Sequence, residues 1–167
     1  MTDKAIDRRG LLAAAGVAVA GIAALRWPQA GEAAPNRRFA VNHSPAEWRR
    51  LLGPQRYRIL REAGTERAFT SPLDKEKRQG TFVCAGCAQP LFSSATKFDS
   101  GTGWPSFWRP LPRATVTNKD RMLGMVRTEV LCARCGGHLG HVFDDGPRPT
   151  GLRYCMNGLA MRFRPAA

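Results

Sequence analysis

The sequence predicts a mainly β protein carrying a short helical N-terminal arm. Three observations support this: short β-prone runs separated by Gly and Pro from residue 80 onward, a capped helical pattern over residues 44–64, and two Cys-x-x-Cys pairs bracketing much of the β region. In chain order, Ser44-Pro45-Ala46-Glu47 places a hydroxyl at the N-cap, a proline in the first turn and a carboxylate at N3. That pattern satisfies the free N–H groups of a helix start. The helix should run to about Leu52, with Trp48, Leu51 and Leu52 on one side. Gly53-Pro54 stops it and starts a second helix through Tyr57, Ile59 and Leu60, ending at Gly64. Strands are predicted at 81–83, 91–92, 116–117, 122–131, 141–143 and 159–163. Beyond the two cysteine pairs there is no internal repeat.

The chain has 167 residues, 43% of them hydrophobic, and a formal net charge of +13. That allows one domain with a real core plus a modest extension, and it excludes a disordered chain or a multi-span membrane protein. The extension is N-terminal. Lys4, Arg8 and Arg9 make a basic start, and residues 11–25 form an uncharged run of 15 residues rich in Ala, Gly and Val. Trp27-Pro28 breaks the run, and small residues follow around Gly31-Glu32-Ala33. This is the order of an export signal, and the run is shorter than the ~20 residues that span a bilayer. Asp7-Arg8-Arg9-Gly10-Leu11-Leu12 resembles the twin-arginine signal, whose pathway carries folded proteins. We therefore expect residues 1–33 to be a signal or anchor segment, 34–42 a linker and 43–167 the domain. The expected location is the periplasm, with membrane attachment if the segment is not cleaved. Removal of 1–33 leaves +12, so the basicity belongs to the domain.

Cys84-Ala-Gly-Cys87 and Cys132-Ala-Arg-Cys135 are separated by 44 residues. Each pair can bring two thiolates onto one cation, with Gly86 and Gly136 permitting the tight turns. Together they supply the closed tetrahedral Cys₄ set that structural Zn²⁺ prefers. The rival readings are a thioredoxin-like redox pair, which lacks its βαβ context here, and two disulfides. The fifth cysteine, Cys155, lies between Arg153 and Asn157, and His138 and His141 stand three positions apart. On the residues alone, Cys155 is either a small buried hydrophobe or a nucleophile served by those imidazoles. A zinc hydrolase built on His138 and His141 would need an open metal position, which four thiolates do not leave. A zinc-knuckle module binding nucleic acid or protein is the other alternative, with Trp108 and Tyr154 as stacking platforms. Against it, the basic residues are scattered through the arm and loops.

The segment Thr96-Lys97-Phe98-Asp99-Ser100-Gly101-Thr102-Gly103-Trp104-Pro105-Ser106-Phe107 resembles the signature loop of the B-type peptide-methionine (R)-S-oxide reductases. Cys132-x-x-Cys135-x-x-His138-Leu139-Gly140-His141-Val142-Phe143-Asp144-Asp145-Gly146-Pro147 resembles a second block of that family, and Arg153-Tyr154-Cys155-Met156-Asn157 a third. The arm from Tyr57 to Thr65-Glu66 fits as well, so the resemblance spans residues 43–165 in order. It implies two antiparallel sheets (a β-tent) with N-terminal helices and a structural zinc on Cys84, Cys87, Cys132 and Cys135. It implies that Cys155 attacks the sulfur of a methionine (R)-S-oxide in an oxidised protein, releasing methionine and leaving a sulfenic acid. His138 and His141 would then serve as acid and orienting groups, Asn157 and Arg153 would position the oxygen and stabilise the thiolate, and Trp104 would wall the S-methyl group. Phe107, Trp108 and Phe143 are assigned to the core. Many relatives have a resolving cysteine where this chain has Thr102, so the reductant is expected to be external: a thioredoxin-like protein or a small thiol. A monomer with no nucleic-acid partner is expected.

Overall fold

The computed structural model describes residues 38–120 and 126–167. The expected signal segment, residues 34–37 of the expected linker and the start of the strand expected at 122–131 lie outside the described residues. Residues 38–42, the rest of that linker, are tied to the domain: the Val41 N–H donates to the Arg134 carbonyl at 3.0 Å. Among the described residues no helix is long and apolar enough to cross a membrane.

Helix α1 (Pro45–Glu62) begins where the capping pattern puts it. The Ser44 hydroxyl accepts from the Glu47 N–H at 3.3 Å and the Glu47 carboxylate accepts from the Ser44 N–H at 2.8 Å, an arrangement that contributes about 1 kcal/mol. The predicted break is real but local. Gly53 (φ 67, ψ 170) kinks α1 ahead of Pro54, and the helix resumes. At the other end Ala63, one residue before the glycine expected to stop the helix, takes the left-handed conformation (φ 51). Trp48, Leu52, Tyr57, Ile59 and Leu60 are buried, whereas Leu51 is exposed.

Among the described residues nine strands follow: β1 (Gly80–Cys84), β2 (Pro90–Ser93), β3 (Lys97–Phe98), β4 (Ser106–Phe107), β5 (Thr115–Asp120), β6 (Arg127–Cys132), β7 (His138–Phe143), β8 (Arg153–Met156) and β9 (Met161–Pro165). They form two antiparallel sheets, one of order β2-β1-β9 and one of order β3-β4-β8-β7-β6-β5. The strands expected at 81–83, 91–92, 116–117 and 141–143 lie within β1, β2, β5 and β7. Residues 158–160 make a 3-10 turn that takes the first two residues of the strand expected at 159–163, and β9 follows it. Strands β3, β4 and β8 were not expected, because β3 and β4 are two residues long and β4 meets β8 from a distant part of the chain.

The sheets meet through aromatic side chains. The Phe107 ring of the larger sheet stacks on Phe92 at 4.3 Å and meets Phe82 edge-on at 4.9 Å, both from the smaller sheet. Tyr154, opposite Phe107 in register, reaches Phe92 at 5.9 Å. Side chains alternate faces along a strand. With Phe107 and Tyr154 turned to the core, their neighbours Ser106 and Cys155 point to the opposite face of the larger sheet.

Candidate active site and metal centre

One register row organises that opposite face. Across β5, β6, β7, β8, β4 and β3, the Cα partners run Asn118, Glu129, His141, Cys155, Ser106 and Phe98. Directly opposed residues in antiparallel strands share a face, so sheet pairing alone sets His141 beside Cys155 although 13 residues separate them along the chain. The close approach of β7 and β8 depends on Gly140, where φ is +154° and a Cβ would lie 2.1 Å from the Cys155 carbonyl oxygen. No side chain fits there.

Cys155 is half-buried at a cavity of about 210 Å³ whose lining includes Trp104, Arg127, His141, Phe143, Cys155 and Asn157. Phe143, assigned to the core from sequence, is thus a wall of this cavity. Phe107 is in the core as expected, and Trp108 is partly exposed with Arg109 over its ring at 4.8 Å. Trp104 is held by its indole N–H, which donates to the Glu66 carbonyl at 3.2 Å.

Asn157 is 3% exposed and largely engaged. Its Oδ1 accepts from the Glu66 N–H at 3.0 Å and its Nδ2 donates to the Leu139 carbonyl at 3.2 Å. The buried Glu66 carboxylate returns the contact, accepting the N–H groups of Gly158 and of Leu159, the latter at 3.0 Å. Glu66 and Asn157 thereby clamp the turn after α1, and with it Trp104, to the segment that follows Cys155.

The two histidines occupy different positions. His141 lines the cavity, and its Nε2 lies 2.9 Å from Asp120 Oδ2. That carboxylate also accepts from Arg127 Nη2 at 2.8 Å. A carboxylate partner fixes Nε2 as the protonated nitrogen and leaves Nδ1 as an acceptor. His138 is 3% exposed and sits behind His141, the rings edge-on at 5.5 Å, with Nδ1 2.7 Å from Glu129 Oε1. Burial lowers the His141 pKa below its ordinary value of 6.5, Arg127 and His138 add to that effect, and the Asp120 hydrogen bond opposes it. His141 is therefore neutral at pH 7.

Burial pushes the Cys155 thiol above its ordinary range. Thr102, Arg153 and Ser106 pull it back without cancelling the burial. Cys155 therefore rests as a thiol. The Arg153 guanidinium is mainly occupied by a fork to Asp145, Nε and Nη2 donating at 2.8 and 2.7 Å, and it lies 4.5 Å over the Phe143 ring. Thr102 Oγ1 stands 3.9 Å from Cys155 Sγ and 2.8 Å from Ser100 Oγ, which lies 2.7 Å from Ser106 Oγ. A chain of hydroxyls thus ends at the thiol. The roles of Glu66, Ser100, Ser106, Asp120, Arg127 and Glu129 escape sequence reasoning. Glu129 alone leaves a signal, since strand alternation puts it on one face with Arg127.

The four remaining cysteines converge. Their sulfurs all lie within 4.8 Å of one another, with Cys84 to Cys135 at 3.7 Å and Cys87 to Cys132 at 3.6 Å. Those separations exclude disulfides, whose S–S bond is ~2.05 Å. The two knuckles repeat one hydrogen-bond pattern: Ala88 N–H to Cys84 O and Gly136 N–H to Cys132 O, both at 2.9 Å. The residue after each second cysteine is left-handed, Ala88 at φ 58° and Gly136 at φ 68°. Gly86, expected to relax the first turn, does not have a positive φ; Ala88 takes that strain. Four such close sulfurs cannot all ionise unaided, and the thiols of Cys84 and Cys135 are held well above their ordinary range. A bound dication removes that conflict. The donors, their closure and their burial fit structural Zn²⁺, and the quartet is its site.

The described geometry has a measurable consequence. Protonating His141 removes its acceptor, so kcat/KM should fall on the acid side with an apparent pKa below 6.5. Because Asp120 raises the His141 pKa, Asp120→Asn should move that limb to still lower pH and reduce its plateau. A limb unmoved by the substitution would remove Asp120 from this role.

The SelR domain family matches residues 52–165. Peptide methionine sulfoxide reductase MsrB of Leptospira interrogans serovar Lai is 56% identical over 127 residues, covering 75% of this chain and 97% of that protein. The MsrB of Agrobacterium fabrum is 58% identical over 126 residues, covering 75% and 93%, and that of Thiobacillus denitrificans 58% over 121 residues, covering 72% and 92%. All these matches span three quarters or less of the chain while covering nearly the whole of each relative.

Proposed function

The chain belongs to the SelR-domain family of peptide methionine sulfoxide reductases, and from that premise we propose that it reduces the R epimer of methionine S-oxide in oxidised proteins with Cys155 as nucleophile. The observation that carries the proposal is the placement of the Cys155 thiol beside neutral His141 at a small cavity walled by Trp104 and Phe143. The S-methyl group lies against the aromatic wall, and the sulfoxide oxygen faces the polar side. Fixing methyl, oxygen and peptide at once makes the site chiral, which is the basis for selecting one epimer.

Cys155 sulfur attacks the sulfoxide sulfur as the S–O bond breaks. The thiol proton, taken up by Nδ1 of His141, passes to the sulfoxide oxygen, and the transient bond between the two sulfurs breaks as that oxygen transfers to Cys155 as hydroxyl, releasing methionine. Methionine sulfur gains two electrons and Cys155 loses them as sulfenic acid. His138, fixed by Glu129, backs the His141 ring. Asp120 and Arg127 hold His141 in the required tautomer.

The chain contains five cysteines, and four are grouped in the quartet, so no thiol is left to resolve the sulfenic acid from within. Thr102 fills the position nearest Cys155. An external thiol, from a thioredoxin-like protein or a small reductant, therefore attacks Cys155, and a second thiol completes the disulfide and restores Cys155. Water leaves with the sulfenic oxygen. The basic start and apolar run of residues 1–33 favour twin-arginine export, which delivers the domain folded and metal-loaded.

The test is turnover of both sulfoxide epimers in a peptide with a thioredoxin or dithiothreitol as donor. Reduction of R alone is expected, with no internal disulfide by mass spectrometry after one turnover. Reduction of S alone would overturn the epimer assignment, and an internal disulfide would overturn the recycling route.

A further inference from the structure

Next to the catalytic cavity lies a second, larger cleft of about 660 Å³. Thr65 lines both, and the buried pair Glu66 and Gly158 on its wall directly adjoin residues of the clamp that holds Trp104. Arg56, Arg58, Arg67 and Arg162 also line this cleft. Such a cluster is ordinarily balanced by carboxylates. Here the ion pairs among the described residues involve other groups, and none includes any of these four arginines. The lining's one carboxylate, Glu66, is 7% exposed and already accepts two backbone N–H groups. The Arg56 guanidinium is held below its ordinary pKa by burial and by the charge of Arg162. The cleft is therefore an arginine-rich wall whose one carboxylate is already engaged, and it adjoins the catalytic cavity at Thr65.

We propose that this arginine-lined cleft binds acidic side chains flanking the methionine sulfoxide, so that the enzyme prefers sulfoxides in acidic sequence contexts. A peptide whose sulfoxide occupies the catalytic cavity continues past Thr65, and Asp or Glu residues beyond it meet Arg56 and Arg162. Carboxylate groups match arginine forks, and the low-dielectric wall strengthens the attraction relative to open solvent. The proposal rests on the reductase reading above and adds the substrate class to it. It also gives the charge of +12 carried by residues 34–167 a local use.

The test compares R-sulfoxide peptides carrying Asp on both sides of the sulfoxide with the same peptides carrying Ser, using the full chain with zinc bound. At low ionic strength the acidic peptide should show about a fivefold to tenfold higher kcat/KM, mostly through KM. Salt at about 0.5 M should erase the difference, since the Debye length then falls to a few ångströms. The R56Q/R162Q variant should lose the preference while turning over the Ser peptide as before, which also reports that it folds. R162E should weaken it, and R50Q, which alters an exposed arginine outside the cleft, should keep it. Equal turnover of both peptides at low salt would overturn the proposal, as would a preference that survives R56Q/R162Q but falls in R50Q. Failure to reduce either peptide would instead overturn the reductase reading itself.

Discussion

Cys155→Ser should abolish sulfoxide reduction, by about 10³-fold or more, while the protein keeps its fold and its zinc. Serine is close in size to cysteine and sits well beside Thr102 Oγ1, a polar neighbour at 3.9 Å from the native sulfur. What it lacks is a sulfur that can accept oxygen and exist as a sulfenic acid. The hydroxyl is also far harder to deprotonate in a site that already holds the thiol in its neutral form. Turnover by coupled thiol consumption, metal analysis and a thermal melt separate the effects. Activity should vanish, one zinc per chain should remain, and stability should change by no more than about 1 kcal/mol. A serine variant that still reduced the peptide would remove Cys155 from the mechanism.

The largest loss of stability should come from Cys132→Ser. Cys84 ends β1 in the three-stranded sheet and Cys132 ends β6 in the six-stranded sheet, so the quartet joins the two sheets directly. A structural Cys₄ zinc is associated with about 10–16 kcal/mol in isolated zinc-finger peptides, comparable with the whole ~5–15 kcal/mol that holds a domain together. Losing one thiolate also leaves three close sulfurs in a buried pocket with an incomplete metal shell. The variant should retain little zinc and melt at least about 15 °C lower, or fail to unfold cooperatively by circular dichroism. A zinc-free Cys132→Ser protein with the native melting temperature would show that the metal is not structural.

The parts of the fold that were legible in the sequence are those with local causes. Ser44, Pro45 and Glu47 specify a helix start within four residues, and Gly53-Pro54 marks the kink. The Cys-x-x-Cys spacing similarly announces the knuckles, because each turn is closed within itself. Strands β3, β4 and β8 were invisible because β3 and β4 are only two residues long and β4 meets β8 from far along the chain, and short segments of this kind carry no period to read. The site followed the same division. Cys155 stood out as the unpaired thiol, and the histidines by their spacing. What sequence spacing could not reveal was their arrangement: His141 takes a place beside Cys155 through sheet register, while His138 lies behind it. Asp120, Ser100 and Glu66 acquire their roles through contacts spanning up to 93 residues. Their identities, taken one at a time, are those of ordinary surface residues.

Strand β6 carries a further consequence. Its last residue, Cys132, is a metal ligand, while Glu129 and Arg127, three and five positions earlier, hold the two histidine arrangements. Between them the pairing to β7 shifts register at Val130 and Leu131. A strand that slips by one residue turns every side chain to the other face, which would carry Glu129 away from His138 and Arg127 away from Asp120. The quartet is an anchor at one end of that strand. It therefore fixes the phase of the alternation on which the catalytic face depends, and an ion that takes no part in the chemistry sets which residues can.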